Sequence, residues 1–541
     1  MIEAIFAQLS RTNFVYLVML IPVAIILVHL VPWAVDPHGV RSYPGPWLAK
    51  FSDLWLVWTA AKGRRSDTVR DLHLKYGPIV RLAPNHISIS EPAALEVIYA
   101  HGNRTTKTDF YDSFTASDPG VFNVLDRAAH SRKRKIVSHV FAPKTVLEFE
   151  PHVKEHVTTL IRQWDRICEE GAKGKEGGEG GGWVGHSGRA WFDCLPWFGY
   201  LAFDIIGDLA FGSSFGMLVA AKDSTPIVRS HKMDMQIHGQ EKKGATVEDV
   251  EYISAIEILR QRSSYNAIIG LFPSYWRPVA KHIPWISRGG KAIKTLTNLA
   301  VTAVSKRLAT PSYRTDFLTK LLEAKDAAGM PLGPEELTAE AFTLLVAGSS
   351  TTTNALTAVA YYLAANLRCQ KALQKELDEA LVNEDNLAYP HASVKSLRYL
   401  EAVINESLRL QSVVGSGLPR LVPEGGMLVL DRLFPAGTVL SMSSYCIHLD
   451  ASVWGGDVAE FRPERWLEGN QAITKAFYPF SFGPRACVGK NLVMAEMPII
   501  VASLFRRYEL VLENPDVQPV IVEGFARELE SCKIGIKRRS V

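Results

Sequence analysis

Phe480-Ser-Phe-Gly483-Pro-Arg485-Ala-Cys487-Val-Gly489 gathers in one short loop the residue types that hold and tune a metal. A thiolate sulfur is a soft, strongly donating ligand, and glycines let a loop turn close beneath a flat group. Cys487 falls just before a helical run, Lys490 to Met497, whose free N-terminal amides stabilise a sulfur anion. The competing reading is a small buried cysteine in a glycine-rich turn. Glu406-Ser-Leu-Arg409 puts a carboxylate and a guanidinium on one helical face, where they can pair. Such a pair is common by chance, but Phe461-Arg-Pro-Glu-Arg465-Trp466 follows it and precedes the cysteine loop. Arg465 is therefore expected to join Glu406 and Arg409 in a supporting network rather than in the chemistry. Leu337 to Leu367 is a long apolar helical run whose centre, Ala347-Gly348-Ser349-Ser350-Thr351-Thr352, is small and hydroxyl-rich. Ala347 and Gly348 leave room for a group to lie against the helix, and Thr351, Ser350 and Thr352 are the candidates for handling protons there.

The cysteine segment resembles the F-x-x-G-x-R-x-C-x-G loop of haem-thiolate enzymes at every fixed position. On that resemblance Cys487 is the iron ligand and Phe480, Gly483, Arg485 and Gly489 form its cradle. Thiolate electron donation favours cleavage of the O–O bond on the opposite face. Two haem propionates need cations, and Arg485 is the first candidate. His130 and Arg134, four apart on a predicted helix, face one side together, and Arg420 in Gly417-Leu-Pro-Arg420 is a further partner. The alternative for His130 and Arg134 is a solvated basic face, since Arg127, Arg132, Lys133 and Lys135 surround them. Remaining basic side chains suit an acidic electron-donor surface.

These residues need a large scaffold, and 541 residues at 47% hydrophobic can bury one. Lys and Arg number 60 against 56 Asp and Glu, a net charge of +4 and too even a mixture for a nucleic-acid binder. The six cysteines are widely spaced, with neither a zinc nor a disulfide pattern, as in a reducing compartment. We divide the chain into a lumenal 1–13, a transmembrane anchor 14–35, a proline-rich linker 36–50 and one domain over 51–541. The run from Phe14 is longer than a signal-peptide core, the competing reading, and lacks a small-residue cleavage site after it. Arg41, Lys50, Lys62, Arg64 and Arg65 follow it against Arg11 before it, which orients the domain to the cytosol. Pro78 to Ala83 and His86 to Ile89 alternate about Pro84-Asn85 as a β-hairpin. Residues 171–188 are Gly-rich and mixed in charge and read as a flexible surface loop. Within it Gly180 to Gly185 matches G-x-G-x-x-G only formally, without the strand and helix that a dinucleotide site requires. Electrons must then come from another protein.

The long helix with Ala347-Gly348 and Thr351, the E-x-x-R, the F-x-P-E-R-W and the cysteine loop resemble, in this order, the cytochrome P450 family over about 45–540. The resemblance implies a triangular, mainly α fold with a small β region, one haem b, and reduction by a membrane-bound NADPH-cytochrome reductase, with cytochrome b5 as a further donor, at the endoplasmic reticulum. Lys107 to Phe114, Phe122-Asn123, His130 to His139 and Leu201 to Gly212 are similar to fungal benzoate para-hydroxylases. That implies insertion of one oxygen atom from O2 into a small aromatic or related apolar substrate. Phe110, Tyr111, Phe114 and Ser416 are the expected pocket residues. Polyketide or terpenoid tailoring with the same haem, and a haem-binding protein without turnover, are the other readings. The family pattern has an acid where this chain has Ser350, which can hold a water but cannot ionise. Oxygen activation consumes protons, so leaky coupling is expected.

Overall fold

The computed structural model describes residues 11–228, 250–309, 316–326, 328–382 and 386–540. Residues 1–10 of the expected N-terminal segment lie outside them. The chain is mainly helical with small sheets. The helices that matter to the site are α1 (Arg11–Val35), α2 (Arg127–Val140), α3 (Glu150–Ala172), α4 (Cys194–Phe211), α5 (Ala255–Ile269), α6 (Pro284–Ala309), α7 (Pro334–Ala365), α8 (Arg398–Leu410) and α9 (Lys490–Arg507).

Helix α7 is the axis of the molecule. Pro334 in its first turn has no N–H to leave unpaired, and Glu335 and Glu336 sit at the positive end of the helix dipole. Its 32 residues run through the core against α4, which is buried on every side. Helix α4 starts where Asp193 accepts from Leu195 N at 3.0 Å and ends at Gly212 with a φ of +68°. It is apolar all round because it is a core helix, so its length and hydropathy do not make it a membrane span. A β-carbon on Gly348 would lie 2.7 Å from Ile206 Cδ1. The smallness of Gly348 thus lets α4 close on α7.

The predicted hairpin is present: Ile79–Ala83 pairs antiparallel with His86–Ile89, Ile79 opposite Ile89. Val439–Ser441, Arg420–Leu421 and Thr106–Lys107 complete that sheet. The proline-rich linker is tied to it. Arg81 N donates to Pro44 O at 2.8 Å, and the buried Arg81 guanidinium holds the carbonyls of Val40, Lys50 and Pro84.

The Gly-rich stretch is not a flexible loop. Glu176–Gly177 and Trp183–His186 pair as strands of a second sheet with Arg189–Asp193, Lys533–Arg538 and Tyr508–Leu512. Its glycines permit close approach: a β-carbon on Gly180 would overlap the Trp197 ring, and one on Gly185 would overlap Gly171 O. Composition alone could not separate that from flexibility.

Candidate active site

Cys487 lies on a turn built in two steps. Cys487 N donates to Phe480 O at 2.8 Å and Ala486 N donates to Gly483 O at 3.0 Å. Gly483 has a φ of +70°, and a β-carbon there would overlap Tyr99 O, so only glycine lets the loop sit against the end of Ala94–Tyr99. Gly483 shapes the loop without facing the cavity; Phe480, Arg485, Cys487 and Gly489 do face it. The other five cysteines are buried in packing, whereas the Cys487 side chain is open to an internal, largely apolar cavity of about 330 Å³. Burial raises its thiol pKa; the N–H groups of Gly489 and Lys490 and the charge of Arg134 oppose that rise.

Glu406, Arg409 and Arg465 form the expected network, with side chains at most 2% exposed. Arg409 makes a bidentate pair with Glu406 at 2.8 and 2.9 Å, and Arg465 Nε donates to Glu406 Oε1 at 3.0 Å. Backbone carbonyls of His448, Val458 and Glu460 take further Arg409 protons, so the buried charges are fully coordinated. The network reaches the cysteine loop through His448, whose Nε2 accepts from Tyr478 N at 3.1 Å and whose Nδ1 meets Ser412 Oγ at 2.8 Å. Burial and Arg409 push His448 down to about 3, which keeps the ring neutral and Nε2 an acceptor.

The basic face of α2 divides. Lys133 pairs with Glu336 at 2.7 Å, and Arg132 pairs with Glu336 as well, while His130 and Arg134 turn to the cavity. Arg134 Nη1 donates to Ala486 O at 2.6 Å; Arg485 donates to the carbonyls of Val124 and Leu125. Lys107, buried and stacked on the Tyr111 and Phe122 rings at 4.0 and 4.3 Å, joins them. Arg420 does not line the cavity. It stands behind Tyr111, donating to its hydroxyl at 2.8 Å. Among the described residues none of His130, Arg134, Arg485, Lys107 and Arg420 pairs with a carboxylate. Burial, then one another's charges, depress Lys107 and His130, the latter to about 3.

On α7, Ala347, Gly348, Ser350, Thr351 and Thr352 all line the cavity. Thr351 Oγ1 donates back to Ala347 O at 2.7 Å. Two acids reach this stretch from distant chain. Thr352 Oγ1 donates to Glu496 Oε1 at 3.3 Å, and Ser350 Oγ donates to Glu528 Oε1 at 3.3 Å. Burial pushes Glu496 up to about 8 and raises Glu528, which Arg260 steadies at 3.3 Å. Ser350 also borders a second cavity of about 20 Å³ with Arg260, Asn354 and Glu528, room for one water.

Phe114 and Ser416 line the large cavity, but Phe110 and Tyr111 do not. Phe110 fills the space left by Gly270, where a β-carbon would be 2.6 Å from its ring, and Tyr111 is fully buried between Arg420 and Lys107. The residues that sequence reading missed are Lys107, Arg262, Glu496 and Glu528. Glu496 had a signal, being the sole acid in the apolar run after Cys487, and Lys107 opens a segment singled out for its likeness to other enzymes; Arg262 and Glu528 had none.

The match to the cytochrome P450 family model runs over residues 44–533. The chain belongs to the cytochrome P450 family. A benzoate 4-monooxygenase of Aspergillus niger is 37% identical to this P450 over 525 residues, 95% of this chain and 96% of that one. Pisatin demethylase of Fusarium vanettenii is 29% identical over 94% of this chain and 93% of that one. The cytochrome P450 monooxygenase gsfF of Penicillium aethiopicum is 29% identical over 90% and 92%. This P450 is a monooxygenase by family. The family implies a haem-thiolate centre, and the residues fit one: a thiol in an apolar slot lined also by α7, beside Arg134 and Arg485, which pair with no carboxylate among the described residues.

Proposed function

We propose that this P450 inserts one oxygen atom from O2 into a small aromatic, benzoate-like substrate. Electrons come from NADPH through a separate reductase, with cytochrome b5 as an accessory donor. The observation that carries the reading is the Cys487 thiol opening on an apolar cavity whose wall includes Phe114. The similarity to benzoate 4-monooxygenase over nearly the whole chain supports the substrate class. Haem held by Cys487 supplies oxygen activation when bound. Arg134 and Arg485 would offset the charge of its propionates, Lys107 and the neutral His130 ring would donate hydrogen bonds to them, and Arg420 would act through Tyr111. Glu406, Arg409 and Arg465 hold the loop that carries Cys487.

The remaining residues exclude bulk water and move protons. Glu528 takes a proton from solvent beside Arg260 and passes it through a water in the small cavity to Ser350 Oγ. Ser350 releases its own proton into the large cavity, on the wall it shares with Thr351. Thr351 lines the same wall, and Thr352 with the neutral Glu496 holds a second proton beside it.

Helix α1 supports a membrane location. Its 25 residues span about 37 Å at 1.5 Å per residue, more than the roughly 30 Å of hydrocarbon. Tyr16, Met19, Leu20, Val23, Ile26 and Leu27 are exposed along it. With the basic residues after it, that matches an anchor in the endoplasmic reticulum with the catalytic domain in the cytosol.

The similarity to pisatin demethylase supports a second reading, a natural-product substrate in the same pocket. The deciding experiment is the carbon monoxide spectrum of the reduced protein followed by ferric difference spectra with benzoate. A thiolate-type Soret band with a benzoate-induced high-spin shift supports the first reading. A thiolate band without a benzoate response supports the second, and absence of the band in folded, haem-loaded protein overturns both.

A further inference from the structure

Arg262 stands apart from the cations around Cys487. It extends from α5 into the wall of the large cavity and is 8% exposed. Its only acceptor among the described residues is Phe114 O, at a long 3.4 Å from Nη2, and its Nε has no hydrogen-bond partner. The guanidinium lies 5.0 Å from the centroid of the Phe342 ring and 5.9 Å from that of Phe114. No carboxylate pairs with it among the described residues. Isolating a buried cation in this way costs several kcal/mol; folds retain such a group when a ligand supplies the missing charge.

Lys107, His130 and Arg485 are each depressed partly by the charge of their cationic neighbours, whereas Arg262 is depressed by burial alone, to about 10. Arg262, held at about 10, stays charged at neutral pH.

We propose that Arg262 anchors the carboxylate of an aromatic acid substrate. The proposal rests on the monooxygenase reading of the same cavity and adds the residue that selects a charged substrate over a neutral one. A carboxylate entering the cavity exchanges its water for the planar N–H donors of the guanidinium. Phe114 and Phe342 flank that guanidinium, and Leu259 and Leu344 continue the apolar wall for the attached ring. Arg260, two residues earlier, is engaged by Glu528, which leaves Arg262 as the anion site on this face.

The test titrates full-length, haem-loaded ferric protein with benzoate and with methyl benzoate, read by difference spectra and by calorimetry. Arg262→Met should weaken benzoate about tenfold or more while changing methyl benzoate less than about twofold, and Arg262→Lys should fall between. Equal losses for both probes, no loss for benzoate, or a wild type that does not bind benzoate would overturn the anchor. If Arg262→Met does not retain haem, the ratio of the two affinities in Arg262→Lys decides in the same way. The carbon monoxide spectrum of the same samples reports separately on the monooxygenase reading, so failure of one is not mistaken for failure of the other.

Discussion

Ser350 Oγ donates a hydrogen bond to Glu528 Oε1 at 3.3 Å across 178 residues of chain. A carboxylate that α7 lacks around Ser350 is thus delivered to it by a two-stranded sheet in which Arg527–Leu529 pairs with Ile521–Glu523. Because Ser350 borders both cavities, the pair joins a water-sized space, lined by polar and apolar side chains alike, to the large apolar one.

The relay makes a prediction about coupling. Glu528→Gln keeps the shape but cannot cycle a proton, so peroxide released per NADPH should rise several-fold. Ser350→Asp should change little, because the acid is already present. A Ser350→Asp variant that markedly reduces peroxide would bear out leaky coupling from the serine and overturn the relay.

Removing the thiolate should abolish the chemistry and spare the fold. Cys487→Ser is expected to lose the thiolate-type Soret band and substrate turnover while its far-ultraviolet circular dichroism stays that of the parent. A retained thiolate band would assign the ligand elsewhere.

Breaking the buried network should cost stability rather than contact with substrate. Glu406→Gln or Arg409→Ala leaves an uncompensated buried charge, worth about 3–5 kcal/mol. Denaturant unfolding should show that loss together with faster haem release, and a variant of parental stability would remove Glu406 from the role of support.

His448 supplies a pH signature. Its folded pKa is about 3 against 6.5 unfolded, so the unfolded state binds the extra proton between those values and stability falls as pH drops through that window. Replacing it with Gln should flatten the slope of stability against pH there by about 1.4 kcal/mol per pH unit. Glu340 and Glu496, raised by burial to about 7 and about 8, act in the opposite sense, losing stability as pH rises, which is why the comparison is made between parent and variant. An unchanged slope would show that His448 is not the group held neutral.

The cations on α2 give a graded outcome. Arg134→Ala and His130→Ala should each weaken haem retention, measured by transfer to an apo-globin acceptor, whereas Lys135→Ala, on the same helix but exposed, should not. Equal retention in all three variants would return His130 and Arg134 to the role of a plain basic face.

The sequence by itself determined the local chemistry. The cysteine loop, the E-x-x-R pair, the hairpin about Pro84-Asn85 and the small, hydroxyl-rich centre of α7 are short-range patterns, each set by backbone permissiveness and helical or strand period. The tertiary structure decided what those segments meet. Whether the glycines of 171–188 serve flexibility or close approach depended on Trp197 and Gly171, and whether Phe110 or Phe114 faces the cavity depended on Gly270. The unpaired charge of Arg262 and the acids beside Ser350 and Thr352 arise from contacts between segments far apart in the chain. Burial and the absence or presence of a counter-ion are properties of packing, and no periodicity in one segment encodes which other segment will cover it.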